Sequence, residues 1–195
     1  MKLAETLSRA WQMMMWGEAD ASPELFVKAS RLFEEAKTFS SDETLKMITA
    51  GHSHFCRGLG AGTQFVSTLN LKHHDLAQKH LESAVNYYVR AGLTKASEQA
   101  RATRLLFDAS LYMDEAGRHR NPAKKLKSYA AAKGLLQASA DSYAMADEPA
   151  KREEVKRLLE RVRRESEVAI SFTGSVTHSG NGIDRTQLAT FQHHT

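Results

Sequence analysis

Three residues carry the most tempting ligand chemistry in this chain: His52, His54 and Cys56 stand close together. On a helix, His52 and Cys56 lie one turn apart and can share a soft metal, whereas His54 faces another side. His73, His74 and His80 follow and are the residues that would have to complete such a site. A structural zinc site takes about four ligands, and His52 and Cys56 alone supply half of that. The single cysteine also excludes an internal disulfide framework and a four-cysteine site. The expectation is that His52 and Cys56 pack in a core, with no metal and no cofactor.

The other catalytic patterns fall short. Gly58-Leu-Gly60-Ala-Gly62 resembles a phosphate loop only in its glycines. A dinucleotide fingerprint needs a preceding strand, and a phosphate loop needs a following Lys-Ser/Thr. Here the glycines sit in a helical stretch, where they allow close helix packing or a bend. The adjacent carboxylates Glu34-Glu35 and Glu153-Glu154 diverge on a helix instead of facing one substrate. No Ser occupies a Gly-x-Ser-x-Gly setting. The chain is therefore expected not to be an enzyme.

Two surface features suggest partners. Arg118, Arg120, Lys124, Lys125 and Lys127 cluster, and Lys151, Arg152, Lys156, Arg157, Arg161, Arg163 and Arg164 stud a later segment. A basic face over 118–164 can track a phosphate backbone, with Lys124, Lys125, Arg157, Arg161 and Arg164 as the contacts. No aromatic residues interleave to stack on bases, and the spacing predicts helical ion pairs Glu153–Arg157 and Glu160–Arg164. Nucleic-acid binding is thus the alternative reading. Trp11, Met13, Met14, Met15 and Trp16 form an adaptable patch. It either caps the first hairpin or docks a partner or a second copy, with Trp11 and Trp16 as anchors.

The elements that must position these residues are helices. Of 195 residues, 42% are apolar and 26% charged, with three prolines and a net charge of +4. Length suits one domain, and Ala, Leu, Glu, Lys and Arg dominate. No run reaches the roughly 18 apolar residues of a membrane span. Glu5 and Arg9 interrupt the N-terminal apolar pattern and no small-residue cleavage site follows, so no secretory signal is expected.

Start and stop signals predict seven helices. The first covers about 2–17, within an N-terminal capping helix of 1–20. Ser22-Pro23 opens the second. Ser40 and Glu43, at capping-box spacing, open a third that runs to about 68. The fourth, over 72–91, stops at Gly92, and the fifth covers about 94–117. Asn121-Pro122 opens the sixth, to about 146, and the last follows Pro149 to about 171. A single helical domain of 1–172 is expected, followed by a flexible Gly/Ser/Thr-rich tail over 173–195. Its Ile183, Leu188 and Phe191 are candidate anchors for another copy.

At an offset of 55 residues, Phe26, Leu81 and Leu136 coincide. So do Ala29, Ala84 and Ser139; Phe33, Tyr88 and Tyr143; and Ala36, Ala91 and Ala146. These positions share one helical face. The partner helices align Leu45 with Ala100 and Val155, Ile48 with Thr103 and Leu158, and His52 with Phe107 and Val162. Three long helical hairpins are predicted, stacked because none buries its apolar face alone.

The ending Tyr87-Tyr88-Val-Arg-Ala91-Gly92 resembles the first helix of tetratricopeptide repeats. The period of 55 exceeds that family's 34 or so, and its Trp-x-x-Leu-Gly opening is absent. Three blocks carry a closer likeness: Gly51-His-Ser-His-Phe-Cys56 with Ala61-Gly62-Thr63-x-Phe65; Asn86 to Gly92 with Ala96-Ser97-Glu98 and Arg104-Leu-Leu-Phe-Asp108; and Leu135-Leu-Gln-Ala-Ser-Ala140 with Ser142-Tyr143. They cover most of 51–170. Together they resemble uncharacterised, tetratricopeptide-like helical modules of archaeal proteins, sometimes joined to signalling domains. That resemblance implies a cytoplasmic archaeal protein and names no activity.

The expected function is a non-enzymatic interaction or scaffold module that holds a peptide or partner protein in a helical groove. The outward faces of the first helices carry Lys28, Arg31, Asn86 and Arg90, whose guanidinium and amide groups suit peptide carboxylates and backbone.

Overall fold

A computed structural model describes residues 2–177. Its elements are α1 (Lys2–Asp20), α2 (Pro23–Thr38), α3 (Glu43–Thr68), α4 (Leu71–Arg90), α5 (Thr94–Arg118), α6 (Pro122–Met145) and α7 (Pro149–Thr177). No strand occurs among the described residues, and no helix there is long and apolar enough to cross a membrane.

Local chemistry accounts for the boundaries. The Ser22 hydroxyl accepts from the Leu25 N–H, and the Asn121 side chain accepts from Ala123 and Lys124, each just before a proline. Gly92 takes φ +74°; its N–H donates to the Val89 carbonyl and the Leu93 N–H to that of Tyr88, a Schellman turn. Asp147, at φ +64°, makes the equivalent turn at the end of α6, with bonds from Asp147 to Ala144 and from Glu148 to Tyr143.

Two expected boundaries move. The cap of α3 is Asp42, not Ser40: its carboxylate accepts from Thr44 at 2.8 Å and Leu45 at 3.3 Å, while Ser40 Oγ accepts from the Asp42 N–H. A carboxylate at a helix start also answers the helix dipole, which a hydroxyl does only weakly. At the other end, α7 continues to Thr177, so the first residues of the expected tail are helical. Propagation adds one hydrogen bond per residue, so a lone Gly174 does not stop it. Residues 178–195, with Ile183, Leu188 and Phe191, lie outside the described residues.

Each helix packs on the next in sequence, and α3 also touches α5. The core falls into two clusters. One joins Phe26, Phe33, Phe55, Leu81 and Tyr88 with Ala100 and Phe107; the other joins Tyr129, Leu136, Tyr143, Val155 and Val162 with Ala102, Ala109 and Ala116. Helix α5 belongs to both. Ala100 and Phe107 turn one way and the alanines at 102, 109 and 116, also seven apart, turn the other. The alanine stripe lets α6 approach so closely that Ser139 Oγ donates to the Ala102 carbonyl at 2.8 Å.

The four matched positions are buried along α2, α4 and α6 or at their C-caps, except for half-buried Ala91. Helix α3 is the densest crossing point. A Cβ on Gly51 would meet Tyr88 of α4 at 2.7 Å, on Gly58 Leu81 of α4 at 2.6 Å, and on Gly62 Phe107 of α5 at 2.0 Å. The first and last helices meet as well: Lys151 Nζ near the start of α7 donates to Glu18 on α1 at 2.6 Å.

Candidate binding groove and histidine clusters

Two apolar recesses lie where α3, α5 and α7 come together. One, of about 530 Å³, is floored by Phe65, Val66, Leu106, Phe107, Met113 and Leu158. Its polar rim holds Asp114, Glu154, Glu165 and Arg161, with Asp114 paired to Arg118 at 2.9 Å and Glu165 to Arg161 at 3.6 Å. A second, of about 240 Å³, shares Leu106, Phe107 and Glu154 with it and runs on toward Gly17, Thr103 and Tyr143. The two form one groove along the second helices of the hairpins. The close approach of α3 and α5 at Gly62 places the Phe107 ring in its floor. Under the floor, Thr103 Oγ1 donates to the Gln99 carbonyl and so receives the Tyr143 hydroxyl, at 3.0 Å. Burial pushes the Tyr143 phenol up to about 12, so it stays a donor.

The residues expected to bind a peptide sit elsewhere. Lys28 and Arg31 are exposed on α2 and border a small recess of about 240 Å³ with Val27 and Gln64. Asn86 and Arg90 are exposed on α4 and line neither this recess nor the α3–α5–α7 groove. Trp11, 41% exposed, sets its edge on Phe33 at 5.5 Å and on His52 at 4.6 Å, so it covers the first hairpin. Trp16 and Met15 are more exposed and border a shallow recess with Ser8 and Gln12.

The basic face is threaded with carboxylates. Lys156 pairs with Glu153 at 2.6 Å, Arg163 with Glu160 at 2.7 Å, and Arg161 with Glu165 at 3.6 Å. The expected Glu153–Arg157 and Glu160–Arg164 pairs do not form. A cation three residues on reaches each carboxylate first, and Arg157 and Arg164 turn their Nε to the Glu153 and Glu160 carbonyls. Lys124 is exposed, and Lys125 Nζ lies 6.0 Å above the Tyr129 ring.

The five histidines of α3 and α4 fall into separate environments. His52 stacks on Phe33 at 5.1 Å, and its Nδ1 lies 2.7 Å from the Tyr88 hydroxyl. Burial holds its pKa down at about 4. Cys56 is fully buried, and burial raises its thiol far above the ordinary range, so it offers no thiolate. His74 donates from Nε2 to Asp108 at 2.9 Å, while His73 meets the Thr68 hydroxyl at 3.3 Å. His54 and His80 pair with each other, Nδ1 to Nδ1, at 3.1 Å. None of His73, His74 and His80 therefore joins His52 and Cys56, and no group of three or more metal-ligating side chains occurs among the described residues.

Compared with family models, curated proteins and solved structures, the chain matches none of them.

Proposed function

We propose that this chain is a non-enzymatic protein-interaction module, and that its α3–α5–α7 groove takes an apolar, basic segment of a partner protein. The observation that carries this reading is the continuity of the two recesses, with an apolar floor under a rim of four carboxylates, Glu18, Asp114, Glu154 and Glu165, and two cations, Lys151 and Arg161. An amphipathic helix laid into such a groove buries side chains at three-to-four spacing, and Lys or Arg beside them meets Asp114, Glu154 and Glu165. We further propose that the groove is built by three hairpins of a common 55-residue period. The paired Schellman turns at Gly92 and Asp147, 55 residues apart, support that period. On this reading the partner lies along the second helices of the hairpins, not across Lys28, Arg31, Asn86 and Arg90.

The test is to pan a displayed library of helical peptides against the full chain and against Val66→Glu, whose side chain is 54% exposed in the groove wall. Enriched peptides should share apolar residues at helical spacing with Lys or Arg between them. Their binding should fall at least tenfold in Val66→Glu and remain in Lys28→Glu. No enrichment, or binding indifferent to Val66→Glu, would overturn the proposal. So would steep log-linear capture of nucleic acid with salt that is lost when Lys124 and Lys125 are neutralised.

A further inference from the structure

The geometry points to a second, unrelated site: we infer that His54 of α3 and His80 of α4 form a two-imidazole site for a late first-row transition-metal ion, Cu²⁺ above Zn²⁺. The two Nδ1 atoms lie 3.1 Å apart. Imidazole nitrogens bind such ions at about 2.0–2.1 Å, which sets two cis ligands roughly 2.9 Å apart at a right angle and roughly 3.3 Å apart at the tetrahedral angle. The observed spacing falls between the two; the ring centroids, 5.3 Å apart, set the nitrogens almost head-on, so each ring turns about its side-chain bonds to aim its lone pair at a shared ion.

The pair is also held in place. Its helices pack directly on each other, and the Tyr87 ring stacks on His54 at 5.5 Å with 20° between planes. Both rings are half-buried, so solvent reaches them and the remaining coordination positions stay open to water. In the metal-free chain one proton must lie between the two nitrogens. Metal entry sends that proton to Nε2 of the same ring, leaving both imidazoles neutral and both Nδ1 lone pairs on the ion.

The surroundings choose the kind of ion. Burial lowers the pKa of both rings, and Arg57 lowers them further, together with Lys37 at His54 and Lys79 at His80; Glu34 acts the other way at His54. The rings are therefore neutral ligands at pH 7. The excess of nearby cations over that one carboxylate disfavours Mg²⁺ or Ca²⁺, which need charged oxygen ligands. An ion held by nitrogen donors is less dependent on such charge, and Cu²⁺ stands highest in that order.

The test begins from the full chain with His73, His119, His178, His193 and His194 all replaced by Ala. Circular dichroism checks that each variant remains helical. Titration with Cu²⁺ alone, followed calorimetrically and by electron paramagnetic resonance, should show one ion per chain with nitrogen coupling, and the melting temperature should rise. Adding His54→Ala or His80→Ala should each weaken binding at least tenfold and remove the melting shift. If either alanine variant loses its fold, His54→Gln and His80→Gln take its place. Absence of one-to-one binding in the folded parent would overturn the proposal, and so would binding that survives both substitutions.

Discussion

The Tyr88 hydroxyl and the His52 Nδ1 stand 2.7 Å apart, with the His52 ring stacked on Phe33 and met by the edge of Trp11. Burial raises the Tyr88 phenol and keeps His52 neutral, so the hydroxyl donates and the imidazole accepts. Three elements, α1, α2 and α3, thus meet α4 around one part-buried hydrogen bond. Replacing His52 with Phe keeps the ring but strands the Tyr88 hydroxyl. His52→Phe should therefore cost about 1–3 kcal/mol. The double variant His52→Phe/Tyr88→Phe should recover most of it. Urea denaturation of the two singles and the double measures the coupling, and a double variant no better than His52→Phe would refute the bond's importance.

Acid should attack the same place. The folded pKa of His52, about 4, lies below its ordinary 6.5, so the unfolded chain takes up the proton first. Stability is complete above pH 6.5 and drains away as the pH falls toward 4, by about 3 kcal/mol from this one group. His80 shifts in the same direction from a more exposed position and adds less. Denaturation midpoints read between pH 7.5 and 4.5 should fall in the wild type and flatten in His52→Phe/Tyr88→Phe. Equal slopes in the two proteins would refute the assignment to His52.

Two glycines should respond to alanine with opposite signs. At Gly58 the new methyl group would lie 2.6 Å from the fully buried Leu81, and overpacking of about 1–3 kcal/mol should exceed the gain of about 1 kcal/mol in helix propensity. At Gly134, in the middle of α6, nothing lies within 4 Å, so Gly134→Ala should stabilise by about 1 kcal/mol. Thermal melts of the pair suffice. A stabilised Gly58→Ala would mean that α3 and α4 stand further apart than described.

The turn after α6 offers a gain of another kind. Asp147 holds φ +64°, a conformation that glycine adopts freely and aspartate only at a cost. Its bond to Lys95 is exposed on both sides and contributes little. Asp147→Gly should accordingly stabilise the chain or leave it unchanged, whereas Gly92→Ala should cost about 1 kcal/mol or more. A destabilised Asp147→Gly would assign real strength to the Lys95 contact.

Helix number and most helix ends were legible because they rest on local chemistry: Ser22-Pro23, Gly92 and Asn121-Pro122 act within a few residues. Ser40 misled because Asp42, two positions on, is the stronger cap. The glycines of α3 were readable as close packing, but not the side chains they admit, since Leu81 and Phe107 arrive from other helices. The His54–His80 and His52–Tyr88 contacts escaped for the same reason: 26 and 36 residues separate the partners, and only the crossing of α3 with α4 brings them together. The groove had a faint signal. Leu106 and Met113 are apolar residues of α5 outside the matched core positions, and they line the floor between α3 and α7.

Because each helix rests chiefly on its predecessor, the route to the folded state is short. Most contacts close over one hairpin's length of chain, a topology associated with rapid folding. The same arrangement allows the structure to open in stages. Helix α7 can detach without exposing Phe33 and Tyr88, although it gives up the Lys151–Glu18 ion pair and uncovers Phe107. Amide protons near Tyr88 should thus outlast those near Val162 in exchange, with α5 as the divide.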